Sequence, residues 1–218
     1  MAKPAFIYVY DALCGWCYGF SPVIKSLYEK YSDVFDFQVL SGGMILGDRV
    51  GPVSQMADMI RKHRPIVEET TGVKFGEAFS DVLNEGTMIL SSEKPSIALS
   101  VFKSYMPEKA VLYAHDLQRA LNFYGKDLNN EETYRELAEK YELPIEEFIE
   151  KLEHEEYRQL AYYDVALARQ LQVTGFPAAF IKTGDLSFHM VAKGFADEQT
   201  MELRIRNVMK EAGLNWPD

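Results

Sequence analysis

The first forty residues alternate between strand-like and helical patterns, and this order constrains the fold more than any other feature of the sequence. Phe6–Tyr10 (FIYVY) is a short apolar and aromatic run, which is typical of a buried strand. Apolar residues then recur every three or four positions over Tyr18–Tyr31, which predicts an amphipathic helix. Phe35–Leu40 alternates and ends at a glycine pair, so it predicts a second strand. The chain therefore begins with a β–α–β unit, long enough for one right-handed crossover.

The middle of the chain, from Val50 to Gln172, has helical patterning and no convincing strand. Glycine and proline residues separate the predicted helices. These helices are Pro52–Thr70, Gly76–Glu85, Lys94–Tyr105, Glu108–Tyr124, Asn130–Tyr141 and Ile145–Leu171. Strand patterning returns in Ala178–Lys182 and Ser187–Lys193, which predict a β-hairpin, and a last helix is predicted over about Asp197–Ala212.

The charge of the chain limits the classes of partner. A net charge of −10 and a pI near 5.0 argue against a nucleic-acid surface and against docking on anionic lipid. The chain reaches a strand-like run almost at once, without a signal peptide, and no window approaches the ~18 apolar residues of a membrane span. We therefore expect a cytoplasmic protein with no nucleic-acid and no membrane partner. Thiols are kept reduced in that compartment.

Both cysteines of the chain lie in the segment DALCGWCYGF (residues 11–20), two residues apart. A disulfide between Cys14 and Cys17 would close too short a loop to stabilise the fold much. Cys14 comes between a predicted strand and a predicted helix. The N–H groups and the partial positive charge at a helix start stabilise a thiolate, which is the attacking species in disulfide exchange. Cys17, one helical turn later, would reach the first sulfur and expel a mixed disulfide.

Two other interpretations of the cysteine pair compete with redox chemistry. A zinc site needs two more ligands, and the four histidines do not have the spacing of zinc ligands, so we expect no metal. Two buried cysteines without a chemical role are the other alternative, because cysteine is often a plain core residue.

Further motifs give the chain a family resemblance. The chain resembles a thioredoxin fold in four features: the strand, the Cys-x-x-Cys pair at a helix start, Pro22 inside that helix, and Gly175-Phe-Pro177 before a hairpin. Gly194 also stands where that family usually has glycine. The long helical segment resembles the DsbA-like branch, and residues 114–148 resemble cytoplasmic members described as dithiol–disulfide isomerases, the FrnE-like proteins among them. The resemblance implies an α/β thioredoxin fold with a large all-helical insertion between the second and third strands. It further implies one domain of residues 1–48 with 173–218 and a second, helical domain of residues 49–172.

The resemblance also implies roles for particular residues. Cys14 would be the nucleophile and Cys17 the resolving thiol. A cis peptide bond before Pro177 would expose the backbone of Phe176 to an extended substrate. Trp16, Phe176 and Pro177 would bind substrate, and Asp11, Gly15 and Tyr18 would support the site. Two departures from the family matter: the dipeptide between the cysteines is Gly-Trp, and Tyr8 stands where many members bury an acid. Asp11 either replaces that acid or has a capping or loop role.

Three functions remain open from the sequence. The leading one is a thiol–disulfide oxidoreductase or isomerase that acts on protein or small-molecule disulfides and thiols. It would have no tightly bound cofactor, and glutathione or a thioredoxin-like protein would reset the cysteines. The second is a glutathione-binding isomerase or transferase of the kappa type, although such enzymes usually have serine at the position of Cys14. The third is a redox-sensing adaptor that delivers a regulator to a protease.

Overall fold

The computed structural model describes residues 3–216 of the chain. Its strands are Ala5–Tyr10 (β1), Asp36–Ser41 (β2), Gly51–Pro52 (β3), Ile89–Leu90 (β4), Ala178–Gly184 (β5) and Ser187–Lys193 (β6). Its helices are Gly15–Tyr31 (α1), Ala57–Thr71 (α2), Glu77–Glu85 (α3), Glu93–Tyr105 (α4), Ala110–Asn122 (α5), Glu131–Lys140 (α6), Ile145–Lys151 (α7), Glu155–Gln170 (α8) and Glu198–Glu211 (α9).

The four longer strands form one mixed sheet in the order β2–β1–β5–β6. Strand β1 pairs in parallel with β2 and antiparallel with β5, and β5 and β6 form the hairpin. Helix α1 makes the crossover between the two parallel strands. All six residues of β1 are buried, which explains why its sequence is continuously apolar instead of alternating. This topology confirms the predicted thioredoxin fold.

The two faces of the sheet belong to two buried clusters. On one face, Tyr8 and Tyr10 of β1 join a large cluster that also contains Phe20 of α1 and Phe102 of α4. On the other face, Ile7, Val9 and Phe180 pack with Ala168 of α8. The carboxyl end of β1 therefore meets the start of α1 between two packed layers, where its position is well defined.

The inserted segment is mostly helical, but two predictions about it are wrong in detail. Residues Gly51–Pro52 and Ile89–Leu90 pair as a two-stranded sheet, where we expected no strand. The single helix predicted over Ile145–Leu171 is interrupted between α7 and α8. The backbone of His154 is extended there, and α8 begins anew with Glu155 and Glu156 in its first turn, where the helix dipole favours acids.

The large buried cluster runs without a break from the sheet into the inserted helices. Phe6 of β1 and Phe148 of α7 belong to it, as do Leu27 of α1 and Leu117 of α5. The division of the chain into two domains remains a prediction.

Among residues 3–216, no helix is both long and apolar enough to cross a membrane.

Candidate active site

Cys14 is the N-cap residue of helix α1. Its backbone is extended, and its Sγ accepts a hydrogen bond from the backbone N–H of Cys17 at 3.2 Å. The N–H of Tyr18 donates to the Cys14 carbonyl at 2.9 Å, which closes the first turn. This is why α1 begins at Gly15, three residues before the predicted start. Serine, threonine or aspartate usually supplies the capping atom. Here a sulfur takes that place, at the end of the helix where the dipole stabilises negative charge.

The two cysteines differ in their surroundings. Cys17 is completely buried, whereas Cys14 retains 6% of its accessible surface and lines a cavity. Both are free thiols. Burial raises the pKa of the Cys17 thiol, and the contact with Cys14 raises it further. The hydroxyl of Tyr8 lies 3.5 Å from the Cys17 carbonyl oxygen, and burial raises the pKa of Tyr8 too.

The loop before β5 approaches Cys14 from the other end of the chain. The Sγ of Cys14 lies 3.7 Å from the carbonyl oxygen of Phe176, and the Phe176–Pro177 peptide bond is cis. The Pro177 carbonyl accepts a hydrogen bond from the N–H of Gly194 at 2.8 Å, which ties the loop to the end of β6. A backbone carbonyl is thus held beside the sulfur by residues far away in the sequence.

Gly42 leaves the space that the Phe176 ring occupies, a role that the sequence did not reveal. A Cβ atom at Gly42 would lie 2.1 Å from Cε1 of Phe176, so no larger residue fits while the ring keeps its position. The N–H of Gly42 also donates to the Tyr10 carbonyl at 2.7 Å, which fixes the end of β2 beside the end of β1. A glycine pair that closes a strand is the signal in the sequence, but its partner ring cannot be identified from that signal.

Asp11 connects three segments and does not cap α1. Its carboxylate accepts hydrogen bonds from the N–H of Leu13 at 3.0 Å, the N–H of Met44 at 2.7 Å and the hydroxyl of Ser92 at 3.0 Å. Burial raises the pKa of Asp11, and these three donors, together with the charge of Arg49, counteract the effect. The contacts tie Asp11 to the loops around it, and whether it also replaces the family's buried acid stays a prediction.

The aromatic residues around the cysteines point in different directions. Trp16 is partly buried and lines the cavity next to Cys14. Tyr18 is buried instead, with its hydroxyl donating to the Lys74 carbonyl at 2.8 Å and its ring packed edge-on against Phe75. Phe20 is fully buried in the main cluster. Trp16 therefore lies beside Cys14, whereas Tyr18 anchors the helix to the inserted segment.

A cavity of about 290 Å³ opens beside Cys14, between the start of α1 and helices α2 and α3. Its wall is almost entirely apolar. The lining residues are Leu13, Cys14, Gly15, Trp16, Met44, Ile45, Met56, Met59, Ile60, His63, Arg64, Val67, Phe75, Phe79, Leu90 and Asn122. The predicted residues Cys14, Gly15 and Trp16 thus share this cavity with methionine and aromatic side chains that the sequence analysis did not single out. Within residues 3–216 no three histidine, cysteine or acidic side chains are grouped as metal ligands.

Comparisons with known proteins agree with this geometry. A family model described as Thioredoxin matches residues 6–202. A solved structure from Nitrosomonas europaea, proposed to be a protein disulfide isomerase, superposes with a TM-score of 0.83 at 23% identity and covers 96% of this chain and 99% of that one. The cytosolic disulfide reductase DsbM from Pseudomonas aeruginosa gives 0.79 at 23% identity, covers 95% of this chain and 98% of that one, and has also been solved with GSH.

A curated relative, the ClpXP adapter protein SpxH from Halalkalibacterium halodurans, is 25% identical over 184 residues. The match covers 80% of this chain and 58% of that protein, so the chain spans little more than half the length of this relative. The family model accounts for most of the chain, and the superpositions extend over the inserted helices as well as the sheet. The chain therefore belongs to the thioredoxin family.

Proposed function

We propose that the protein is a thiol–disulfide oxidoreductase in which Cys14 is the nucleophile and Cys17 the resolving thiol. The observation that carries the proposal is the contrast between the two sulfurs. The sulfur of Cys14 caps a helix and the residue lines a cavity, whereas Cys17 is completely buried and the pKa of its thiol is raised. A thiolate is the attacking species, and the helix start stabilises it. The buried thiol is protected until the first sulfur has formed a mixed disulfide.

The reaction takes place in two exchanges. The Cys14 thiolate attacks one sulfur of a substrate disulfide, forms a mixed disulfide and releases the other sulfur as a thiolate. Cys17 then loses its proton and attacks the Cys14 sulfur, which forms the Cys14–Cys17 disulfide and releases the second substrate thiolate. The substrate gains two electrons and the dithiol loses two. Trp16, Phe176 and Pro177 would form the substrate side of the site, with Asp11, Gly15 and Tyr18 supporting it.

The direction of the reaction in the cell depends on which molecule reduces the Cys14–Cys17 disulfide after each turnover. With glutathione or a thioredoxin-like dithiol as the reductant, the protein would reduce or isomerise disulfides without a tightly bound cofactor. We propose a cytoplasmic location for this activity. The similarity to a cytosolic disulfide reductase supports this proposal.

The test uses two single variants and one substrate disulfide. Cys17→Ser should accumulate a mixed disulfide at Cys14, detected by mass spectrometry of the digested protein, because the second exchange is blocked. Cys14→Ser should neither form the adduct nor reduce the substrate. Turnover by Cys14→Ser at the rate of the unmodified protein would refute the proposal. Glutathione binding that survives Cys14→Ser would instead support a kappa-type enzyme.

A second candidate is a protease adaptor, because the curated relative is named as an adapter of ClpXP. In that case the Cys14–Cys17 pair would sense redox state, and surface residues of the inserted helices would bind the partner. The double variant Cys14→Ser/Cys17→Ser separates the candidates. It should lose all disulfide exchange in the first case, and it should still accelerate degradation of a regulator by ClpXP in the second.

A further inference from the structure

We propose that the protein forms a two-fold symmetric dimer in which strand β6 pairs with β6 of a second copy of this chain. The inference concerns an interaction surface and goes beyond the proposed function. Strands β2 and β6 are the two edges of the four-stranded sheet. An edge strand has one row of backbone N–H and C=O groups without a partner strand, so proteins usually cover or charge it. The two edges of this sheet differ in that respect.

The β2 edge is closed by the inserted segment. The Nζ of Lys103 donates to the Val39 carbonyl at 3.1 Å and forms an ion pair with Asp164 at 2.7 Å. The backbone N–H of Ser41 donates to the same carboxylate at 3.4 Å. A lysine from α4 and an aspartate from α8 therefore occupy backbone groups of β2 that an added strand would need.

The β6 edge is apolar and exposed. Leu186, Phe188 and Met190 follow one another at every second position, with exposed fractions of 93%, 39% and 47%. Phe188 and Met190 lie on the same face of the sheet, where they are paired with Lys182 and Phe180 of β5. The Nζ of Lys182 lies 5.6 Å from the centre of the Phe188 ring, on the β5 side, so its charge lies away from the edge. An exposed apolar edge strand of this kind is a site for the addition of another strand.

The stretch of β6 that can pair comprises residues 187–190. The register of β6 against β5 shifts at Val191, whose carbonyl accepts a hydrogen bond from Nη1 of Arg204 at 2.9 Å. A bulge of this kind limits how far a sheet can be extended at its edge. The added strand is therefore short, and the side chains beside it have to contribute to affinity and register.

The sequence of β6 is complementary to itself in the antiparallel direction. A two-fold axis at His189 places Phe188 of one copy opposite Met190 of the other, so each apolar side chain gains an apolar neighbour. The same axis brings Asp185 of one copy beside Lys193 of the other, once at each end of the pairing. Both of these residues are exposed, and within residues 3–216 neither forms an ion pair.

This self-complementarity favours a second copy over an unrelated strand. An arbitrary peptide would satisfy the backbone groups of the edge, but it would match the apolar pair and the two opposite charges only by chance. The one-residue shift at Val191 displaces Lys193 along the strand by about 3.3 Å, a distance that a lysine side chain can span. A second copy therefore fits the backbone, the apolar pair and the charges together.

The dimer leaves both candidate active sites open. Because the two β6 strands run antiparallel, the carboxyl ends of the two β1 strands point to opposite ends of one continuous sheet. Cys14 follows the carboxyl end of β1, so the two Cys14 residues lie far from the axis and from each other. Dimerisation and disulfide exchange should therefore be independent of each other.

Sedimentation velocity over a concentration series measures the association. The unmodified chain of 24.9 kDa should form a species of about twice that mass as its concentration rises. Met190→Lys places a charge in the apolar pair and should raise the dissociation constant at least about tenfold. Ile66→Lys is the matched control: Ile66 is 46% exposed on α2, in the inserted segment, and its substitution should leave the dissociation constant unchanged.

Charge reversal at two exposed positions tests the register. Asp185→Lys and Lys193→Asp each bring like charges together at both ends of the pairing, and each should raise the dissociation constant about tenfold at low ionic strength. The two substitutions change the net charge of −10 in opposite directions, so a weakening by both cannot come from overall charge. A mixture of the two variants, one of them labelled with a fluorophore, should associate as tightly as the unmodified protein, because each lysine then meets an aspartate.

The outcomes separate this inference from the proposed function. A protein that stays monomeric at every concentration, or a dimer that Met190→Lys does not weaken, would overturn the inference. A mixture that associates no better than the two single variants would overturn it too. Release of thionitrobenzoate from its own disulfide reports exchange at Cys14 in the same samples, and Met190→Lys should react at the rate of the unmodified protein. If the protein dimerises as described but does not react with this disulfide, the oxidoreductase proposal fails and the dimer stands.

Discussion

The two ends of the chain and the helical segment between them contribute different things to the surroundings of Cys14. The end segments supply backbone groups, namely the Cys17 N–H at 3.2 Å and the Phe176 carbonyl at 3.7 Å. The helical segment supplies side chains: Ser92 binds Asp11, and Met59 and Phe75 line the cavity. The first set contacts the sulfur itself, and the second set forms most of the cavity wall, to which Trp16 and Met44 of the first end segment also contribute. We therefore expect substitutions in the inserted segment to alter substrate preference more than the reactivity of the sulfur.

Asp11 joins the two regions, so its removal should have the largest effect on stability. Asp11→Ala would leave the N–H groups of Leu13 and Met44 and the hydroxyl of Ser92 without their acceptor. Each buried donor without a partner costs about 1–3 kcal/mol, and we expect the free energy of unfolding to fall by roughly 3 kcal/mol. Urea denaturation at pH 7 measures it. A loss below about 1 kcal/mol would mean that the three hydrogen bonds to Asp11 contribute little to the stability of the fold.

The pH dependence of the same residue has a defined sign. Because burial raises the pKa of Asp11 above its ordinary value of 3.8, the folded protein retains the proton to higher pH than the unfolded chain does. The contribution of Asp11 to stability therefore decreases as the pH rises above 3.8 through the raised pKa. The difference in stability between the unmodified protein and Asp11→Asn should shift in favour of the variant over that interval. A shift in the opposite direction would contradict the account.

A substitution of Gly42 tests whether the position of the Phe176 loop beside Cys14 matters for disulfide exchange. Gly42→Ala places a Cβ in the space of the Phe176 ring, whereas at Gly175 a Cβ would meet no atom within 4 Å. Overpacking of this kind costs roughly 1–3 kcal/mol, and we expect it to displace the ring and slow disulfide exchange. Gly175→Ala, one residue before Phe176, is the matched control and should keep both stability and rate. Equal effects of the two substitutions would show that the Phe176 ring does not need the space at Gly42.

His115 tests the contact between α1 and the inserted helix α5. Its Nδ1 lies 2.8 Å from the hydroxyl oxygen of Ser21, and burial lowers the pKa of His115 from 6.5 to about 4. Between these two values the unfolded chain binds a proton that the folded protein does not, so stability falls as the pH decreases through this interval. His115→Gln should lose less stability between pH 6.5 and pH 4, by at most about 1.4 kcal/mol per pH unit.

Of these substitutions, Ser92→Ala should change the free energy of unfolding least. Its hydroxyl accepts from the Ile45 N–H at 2.9 Å and donates to Asp11, which keeps two other donors. Ser92→Ala should lower the free energy of unfolding by about 1 kcal/mol, measured with urea, and leave the exchange rate of Cys14 almost unchanged. A large loss of exchange rate without loss of stability would assign Ser92 to the chemistry instead of the scaffold.

The sequence predicted the parts of the molecule that depend on neighbours along the chain. The β–α–β start, the hairpin and the position of Cys14 at a helix N-terminus follow from apolar spacing and from one short motif. The break at His154 was missed because no glycine or proline marks it, and the backbone simply becomes extended there. The pairing of Gly51–Pro52 with Ile89–Leu90 was missed because two residues are too few to show a pattern.

Sequence analysis predicted the two cysteines of the candidate site but did not identify most of the residues that line its cavity. The spacing of Cys14 and Cys17 at a predicted helix start is enough to indicate disulfide exchange. The role of Gly42 depends on the Phe176 ring, which approaches from the opposite end of the chain. Met59 looks like an ordinary apolar residue on a helix, and only the packing of α2 against the start of α1 makes it part of a cavity. Long-range contacts of this kind leave no local signal in one sequence.

The central claim is that Cys14, the less buried of the two cysteines, is the attacking thiol and that Cys17 is the resolving thiol. The most direct test is the time course of iodoacetamide labelling of the two cysteines in the reduced protein, resolved by mass spectrometry of the peptides. We expect Cys14 to be labelled at least about tenfold faster than Cys17, since alkylation needs an accessible thiolate. Labelling of Cys17 first, or of both at the same rate, would contradict the assignment of the two roles.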